Sequence, residues 1–279
     1  KFAKVAPFEV KIFINEKNIG YAQNFSHALS LCEGDLVFLS DQDDVWFDNK
    51  ILTIQQLAKK DESTQMFMND AELVYHDLSP TGLTKQSQIR TAGFSQSSFV
   101  MGCCMAIRTS FLKHLLPIPH QFEAHDVWLS QIGEGLKYRK VLPITLQLYR
   151  RYNYNNSHFI ANSTQKINTI DRIVWQLKKH KGKKNSEYLL ELEKRKKRSQ
   201  ITINFLYSCL QKEEVSEELK DRINNFLSIQ LKSKKSLEER IKIKKNNFIS
   251  RIYYGYKFLL KGGYKEFSGI QSYFKDILI

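Results

Sequence analysis

Within Gly34 to Ile51, GDLVFLSDQDDVWFDNKI, an apolar run ends in three carboxylates placed within four positions: Asp41, Asp43 and Asp44. Such a run, opened by glycine, reads as a buried strand. Like charges at its end repel one another, and burial raises that cost unless a cation or a set of donors relieves it. Something positive is therefore expected there. A hard divalent ion bridging a diphosphate uses one or two protein carboxylates, and Asp41 and Asp43 can project to the same side as the chain turns out of the sheet. The other reading is a solvated turn in which Asp44 or Asp48 caps the next helix.

The surrounding pattern fixes the fold class. FEVKIFI (Phe8 to Ile14) has strand spacing, and AQNFSHALSLC (Ala22 to Cys32) has helical spacing, closed by Gly34. After the acidic cluster, KILTIQQLAKK (Lys50 to Lys60) reads as a helix. MFMNDAELVY (Met66 to Tyr75) reads as a strand or strand pair, with SPTG (Ser79 to Gly82) as a turn. Alternating strands and helices predict an α/β domain with ligands at the C-terminal ends of parallel strands, where Asp41 would sit. From Thr164 onward prolines are absent and long charged helices are expected, with a capping box at Ser236 and Glu239 opening one of them.

Charge divides the chain in the same place. Residues 1–158 hold 16 Lys and Arg against 16 Asp and Glu, whereas residues 159–279 hold 27 against 13 and carry the whole formal net charge of +14. An even-charged body followed by a basic appendage points to an anionic membrane surface as partner of the second region. The closing segment, FISRIYYGYKFLLKGGYKEFSGIQSYFKDILI, mixes aromatic, aliphatic and basic residues as a helix lying on a membrane does; packing of the same aromatics on the body is the alternative. Nucleic-acid binding is not expected, because no recognition module accompanies the charge. The four cysteines, Cys32, Cys103, Cys104 and Cys209, show no metal or disulfide spacing and suit a reducing compartment. No run reaches the ~20 apolar residues of a membrane span, so a cytoplasmic location is expected, with peripheral attachment to the inner face of the membrane through the basic tail.

Asn15 to Ile51, NEKNIGYAQNFSHALSLCEGDLVFLSDQDDVWFDNKI, resembles the central signature of the family 2 glycosyltransferases, in particular the bacterial rhamnosyltransferase-like branch. A second block, FVMGCCMAIRTSFLKHLLPIPHQFEAHDVWLSQIGEG (Phe99 to Gly135), matches in the expected order. The resemblance implies a GT-A-like mixed sheet flanked by helices over residues 1–160, incomplete at its N-terminal end, followed by a basic, mostly helical region over 161–279. It implies an inverting transfer of a sugar from a nucleotide-diphosphate donor to a saccharide or lipid-linked acceptor in bacterial surface polysaccharide synthesis.

By the same resemblance Asp41 and Asp43 are the metal ligands, for Mg²⁺ or Mn²⁺, and Asn24, Gln42 and Asp44 complete the donor side. Gly102, Cys103, His125, Trp128 and Asp70 border the sugar and acceptor pocket, and Asp126 is the catalytic base. An attacking hydroxyl needs such a base, although a His125–Asp126 pair is also what caps a helix beginning at Val127. LYRRYNYNNSHF (Leu148 to Phe159) places Arg151 and Tyr152 where the family carries Gln and His, with His158 out of register, so Arg150 or Arg151 is the alternative neutraliser of the diphosphate. The family's two leading nucleotide-binding strands have no counterpart in these residues, which fits either a piece of a longer polypeptide or a protein that has lost donor binding; the latter makes a degenerate, non-catalytic scaffold or assembly subunit the alternative function. An oligomer is compatible with all of these readings.

Overall fold

A computed structural model describes residues 2–152, 159–180, 182, 184–212 and 215–279, apart from the side chains of residues 2 and 180. His158 and most of the segment around it lie outside the described residues. The body is a six-stranded mixed sheet: β1 (Leu36–Phe38), β2 (Val45–Trp46), β3 (Met66–Val74), β4 (Pro80–Thr84), β5 (Met105–Arg108) and β6 (Arg139–Arg150). The order is β1-β5-β3-β6-β2, with β4 paired to β3 off this path. Among the described residues only β3 and β6 are adjacent and parallel; β1 runs in the same direction but is separated from β3 by the antiparallel β5.

Side-chain alternation sorts the core onto two faces. Phe67 and Ala106 face one side, where Ile54 and Ala58 of α2 (Lys50–Lys60) pack with Leu142 and Leu146. Met66, Met68, Met105 and Ile107 face the other, against α4 (Thr109–Leu115), α5 (His125–Gly135) and the long C-terminal helices. α1 (Tyr21–Ser30) reaches this second core through Leu29, and α3 (Lys85–Thr91) follows β4 through a capping box in which Ser87 N–H donates to Thr84 Oγ1.

β1 and β2 lie at opposite edges of the sheet, yet only residues 39–44 join them. Four strand spacings of about 4.8 Å would separate those edges by about 19 Å in a flat sheet. Because this short link also contains a turn, the sheet curls and brings its edges toward each other.

Three sequence expectations shift. Phe8 to Ile14 forms no strand: it has the alternation but no neighbouring strand to bond, and Phe8, Ile12, Phe13 and Ile14 stand exposed. The reversal expected at SPTG falls earlier, at Tyr75 to Ser79, where Leu78 takes a left-handed φ of 70°, and Pro80 already belongs to β4. Ser236 does not open a helix. α8 (Glu217–Lys245) runs through it without a break, its N-cap is Ser216, and Ser236 is buried within the helix pair formed with α7 (Asn185–Leu210).

The described residues of the C-terminal region form the helices α6 (Thr169–His180), α7, α8, α9 (Phe248–Leu260) and α10 (Ile270–Leu278), joined by turns and irregular segments. The closing segment, expected as one helix, is two, broken at Gly262, which has a left-handed φ of 71°. α10 docks on α7 and α8 through a buried ion pair. Arg240 donates to both Asp276 oxygens, at 2.9 and 2.8 Å, and to the Tyr188 hydroxyl at 2.7 Å.

Candidate active site

The acidic turn leaves the sheet at Leu39, whose N–H still donates to Met105 O at 3.1 Å, and reverses at Gln42–Asp43. Beneath it lies the loop that enters β5. Asp41, Asp44 and Cys103 each offer a ligand atom there, all within 4.8 Å of one another. Asp43 is outside this trio, although its charge is felt at both Asp41 and Asp44. The pair expected from the sequence, Asp41 with Asp43, is thus replaced in the compact group by Asp41 with Asp44.

Neither Asp44 nor Asp48 caps α2. The N-cap is Asn49, and its side chain makes no capping bond. Asp44 is held instead by β6, because β2 pairs with that strand in the register Val45 with Leu148 and Trp46 with Gln147. Its Oδ2 accepts from Gln147 Nε2 at 3.1 Å and its Oδ1 from the Arg150 amide at 3.2 Å.

The cation that the acidic run called for comes partly from the chain itself. Lys50 is 1 % exposed, and its Nζ donates to Gln147 Oε1 at 2.5 Å and to Cys103 O at 3.0 Å, 4.0 Å above the Trp46 ring. A chain of bonds thus runs from Lys50 through Gln147 to Asp44. Sequence reasoning missed both partners: Lys50 looks like the first surface residue of an amphipathic helix, and Gln147 lies about a hundred positions away.

One ammonium does not balance three carboxylates. Burial, together with the charges of Asp41 and Asp43, raises Asp44 to about 6 against hydrogen bonds from Cys103 and the Arg150 amide that favour its ionised form. Burial and Asp43 raise Asp41 as well. Lys50 falls to about 8 through burial, opposed by neighbouring anionic groups. The group therefore favours an added positive charge. Hydrogen bonding to Cys104 and burial hold the Cys103 thiol well above its ordinary range, so it stays protonated. The donors available to an ion are then hard carboxylate oxygens, which suit Mg²⁺ or Mn²⁺.

Asp126 occupies the first turn of α5, half-buried, where the amides of Val127 and Gly102 bond its carboxylate. Burial raises it, and the charge of Asp41 raises it further, so the two acids share one electrostatic neighbourhood. The helix N-cap is Ala124, and neither His125 nor Asp126 caps it with its side chain. His125 is wholly buried and stacks on Phe25 at 3.7 Å between ring centroids, with Tyr21 at 5.0 Å. A Cβ on Gly102 would lie 2.5 Å from His125 Nε2, so this glycine allows the imidazole to close against the loop that carries Cys103. Burial lowers His125 to about 4, which keeps it neutral.

Tyr21 is a third residue that sequence reasoning missed. Burial raises its hydroxyl, Asp126 and Asp41 raise it further, and its ring lies 5.0 Å from that of His125, the neighbour of Asp126. Tyr149, at the end of β6, lies within reach of Cys103 and Asp44 and accepts from Arg151 Nη1 at 3.2 Å. Arg150 donates from Nη1 to the Tyr152 hydroxyl at 3.1 Å, and its Nε is buried without a partner among the described residues.

Other expected residues are placed elsewhere. Asp70 is buried, and its Oδ1 accepts from the amides of Ala71 at 2.8 Å and Gln86 at 3.0 Å, so it ties β3 to the first turn of α3. Trp128 is core: its Nε1 donates to Leu115 O at 2.8 Å, and its ring lies against Phe122 and Phe205. Asn24 is exposed on α1 and accepts from Asn15 Nδ2 at 2.7 Å, while Gln42 is exposed in the acidic turn. A groove of about 680 Å³ lined by Gln23, His27 and His120 lies on the face of α1 turned away from Tyr21 and contains no member of the acidic group.

Residues 1–116 match the family model described as glycosyl transferase family 2. No curated protein matches the chain. A curled mixed sheet between helices, with carboxylates gathered where β1 leaves it, agrees with that match, and the chain is similar to glycosyl transferase family 2 over residues 1–116, with an α/β body consistent with a GT-A-like fold.

Proposed function

We propose that the protein is an inverting glycosyltransferase that moves a sugar from a nucleotide-diphosphate donor to a hydroxyl of a saccharide or lipid-linked acceptor, in bacterial surface polysaccharide synthesis. Residues 1–160 would form the catalytic body and 161–279 a basic helical region, with the enzyme in the cytoplasm. The observation that carries this reading is the compact Asp41–Asp44–Cys103 group where β1 leaves the sheet, inside the segment that matches glycosyl transferase family 2.

In this reading Asp41 and Asp44 hold Mg²⁺ or Mn²⁺, and Asp43 adds a third negative charge at the edge of the site. When bound, the ion offsets the charge that develops on the departing diphosphate. Lys50 and Gln147 keep Asp44 in place from below. Arg150, at the end of β6, adds positive charge where the phosphates would lie. Asp126 accepts the proton of the acceptor hydroxyl as that oxygen attacks the anomeric carbon from the face opposite the nucleotide, and inversion follows without a covalent sugar intermediate. Burial and Asp41 raise Asp126, and the amides at the first turn of α5 oppose that rise and so favour the ionised state that a base requires. Tyr21, near the His125 ring, suits a role in orienting the sugar hydroxyls.

Titration calorimetry with UDP, GDP and dTDP in the presence of Mn²⁺ tests the donor half. Asp41→Asn and Asp44→Asn should each weaken the metal-dependent heat at least tenfold, and Asp43→Asn should do so by less. Asp126→Asn should leave that heat in place and abolish transfer. Metal-dependent binding that survives both Asp41→Asn and Asp44→Asn would refute the site, and no binding of any nucleoside diphosphate would favour the scaffold reading.

A further inference from the structure

Three helices of the C-terminal region carry apolar stripes that face away from the protein. On α6, Ile170, Ile173, Val174 and Leu177 follow helical spacing and are 40–70 % exposed. On α9, Ile249, Ile252, Tyr253, Tyr256 and Leu260 do the same, at 41–79 %. α10 adds Ile270, Phe274 and Leu278.

The opposite faces of these helices are already in use. Gly255 of α9 lies against Tyr273 of α10, where an added Cβ would meet that ring at 3.1 Å, and Phe258 packs edge-on to Tyr264. α10 turns Asp276 inward to Arg240. Arg172 of α6 donates to Gly93 O at 2.6 Å, and Trp175 lies against Phe159. Each stripe is therefore the face left over after packing, not a face poised to fold back onto the body.

Charge selects the occupant. α9 and α10 with their connection carry Arg251, Lys257, Lys261, Lys265 and Lys275, and α6 ends in Lys178 and Lys179. The acids of the same two C-terminal helices and their connection are both taken, Glu266 by Lys232 at 2.7 Å and Asp276 by Arg240. No helix among the described residues is long and apolar enough to cross a membrane.

We infer that α6, α9 and α10 form one face that lies on an anionic lipid bilayer, with the apolar stripes at the acyl boundary and the cations among the headgroups. Because α6 follows β6, the strand that ends in Arg150, this face would set the catalytic cleft beside a lipid-linked acceptor; that last clause alone rests on the glycosyltransferase reading.

Flotation of the full chain with vesicles tests it. Binding is expected to vesicles of about 30 % phosphatidylglycerol in phosphatidylcholine at about 0.1 M salt, and at least tenfold weaker binding to phosphatidylcholine alone. Ile173→Glu with Leu177→Glu, and separately Ile249→Glu with Tyr253→Glu, should each lower vesicle affinity at least tenfold with no change in melting temperature. Lys257→Gln with Lys261→Gln should lower it about fivefold per cation. Equal binding to both vesicle types, or stripe variants that bind like the parent, would overturn the inference. So would a dimer in solution that the same stripe substitutions dissociate, since the face would then belong to a second copy. Nucleoside diphosphate calorimetry on the same variants separates the two readings: the inference can fail while metal-dependent heat is intact, and the reverse.

Discussion

Replacing Lys85 by Met should remove a pH dependence of stability whose sign follows from burial. Lys85 opens α3 with 1 % exposure; its Nζ donates to Asn162 Oδ1 and lies 4.6 Å above the Phe159 ring. Burial lowers its pKa to about 7, and Arg151 lowers it further, against the opposing influence of Cys104, Cys103 and Asp70. In the unfolded chain a lysine titrates near 10.4. Between about pH 7 and pH 10 the unfolded state therefore binds more protons than the folded state, and this residue makes the protein more stable as pH rises. At up to about 1.4 kcal/mol per pH unit, the contribution between pH 7 and pH 9 comes to about 2 kcal/mol. Lys50 and Cys103 also titrate with shifted values in or above this range, so the quantity to follow is the difference between parent and variant, in which they cancel. Urea unfolding of both proteins at pH 7, 8 and 9 under reducing conditions measures it. Loss of the bond to Asn162 adds an offset of about 1–3 kcal/mol that does not vary with pH. The parent should gain about 2 kcal/mol on the variant across the series. A difference that stays flat to within about 0.5 kcal/mol, or that falls with pH, would refute the assignment of a neutral Lys85 to the folded state.

Four further outcomes follow from the packing and charge described. Gly102→Ala should cost about 1–3 kcal/mol in urea unfolding, because its methyl meets His125, and should lower transfer at least tenfold by displacing the amide that bonds Asp126. Gly135→Ala should cost a similar ~1–3 kcal/mol without touching Mn²⁺ binding, since its Cβ would enter the buried ring of Phe226, where α5 meets α8. Asp276→Asn leaves Arg240 buried without its anion and should destabilise by about 3–5 kcal/mol, with much of that recovered when Arg240→Met is added. Mn²⁺ affinity measured by calorimetry should fall about tenfold per pH unit below about pH 6, as a proton competes for Asp44, and should level off above it.

The body of the fold was legible wherever local pattern and tertiary role coincide. α2 spans Lys50–Lys60 as its periodicity demands and β3 occupies the MFMNDAELV run, whereas α5 begins at His125, two residues ahead of the expected start at Val127. Phe8 to Ile14 shows the limit of this reasoning: alternation announces a strand only if another strand lies beside it to bond. Ser236 and Glu239 show another, because a capping pair has no effect where helix propensity and packing carry α8 past it. In the site, the acids were visible because they crowd together in sequence, whereas Lys50 and Gln147 were hidden because their meaning depends on a strand register that no local window contains. Asp70 and Trp128 drew attention as polar or aromatic residues in matching blocks. Their bonds to Gln86 N and Leu115 O show them working as struts.

The link from β1 to β2 sets a rule for what this turn can tolerate. Its six residues, 39–44, connect opposite edges of one curled sheet, so the turn is a strap of fixed length drawn over the entrance to β5. Removing one residue would leave enough chain to span the edges but not to form the reversal at Gln42–Asp43, and so would change how Asp41 and Asp44 are presented. Adding one would let the strap rise and carry Asp41 and Asp44 off Cys103. A change in the length of this link therefore falls directly on the acidic group, whereas exchanging its side chains leaves the backbone frame that presents them in place.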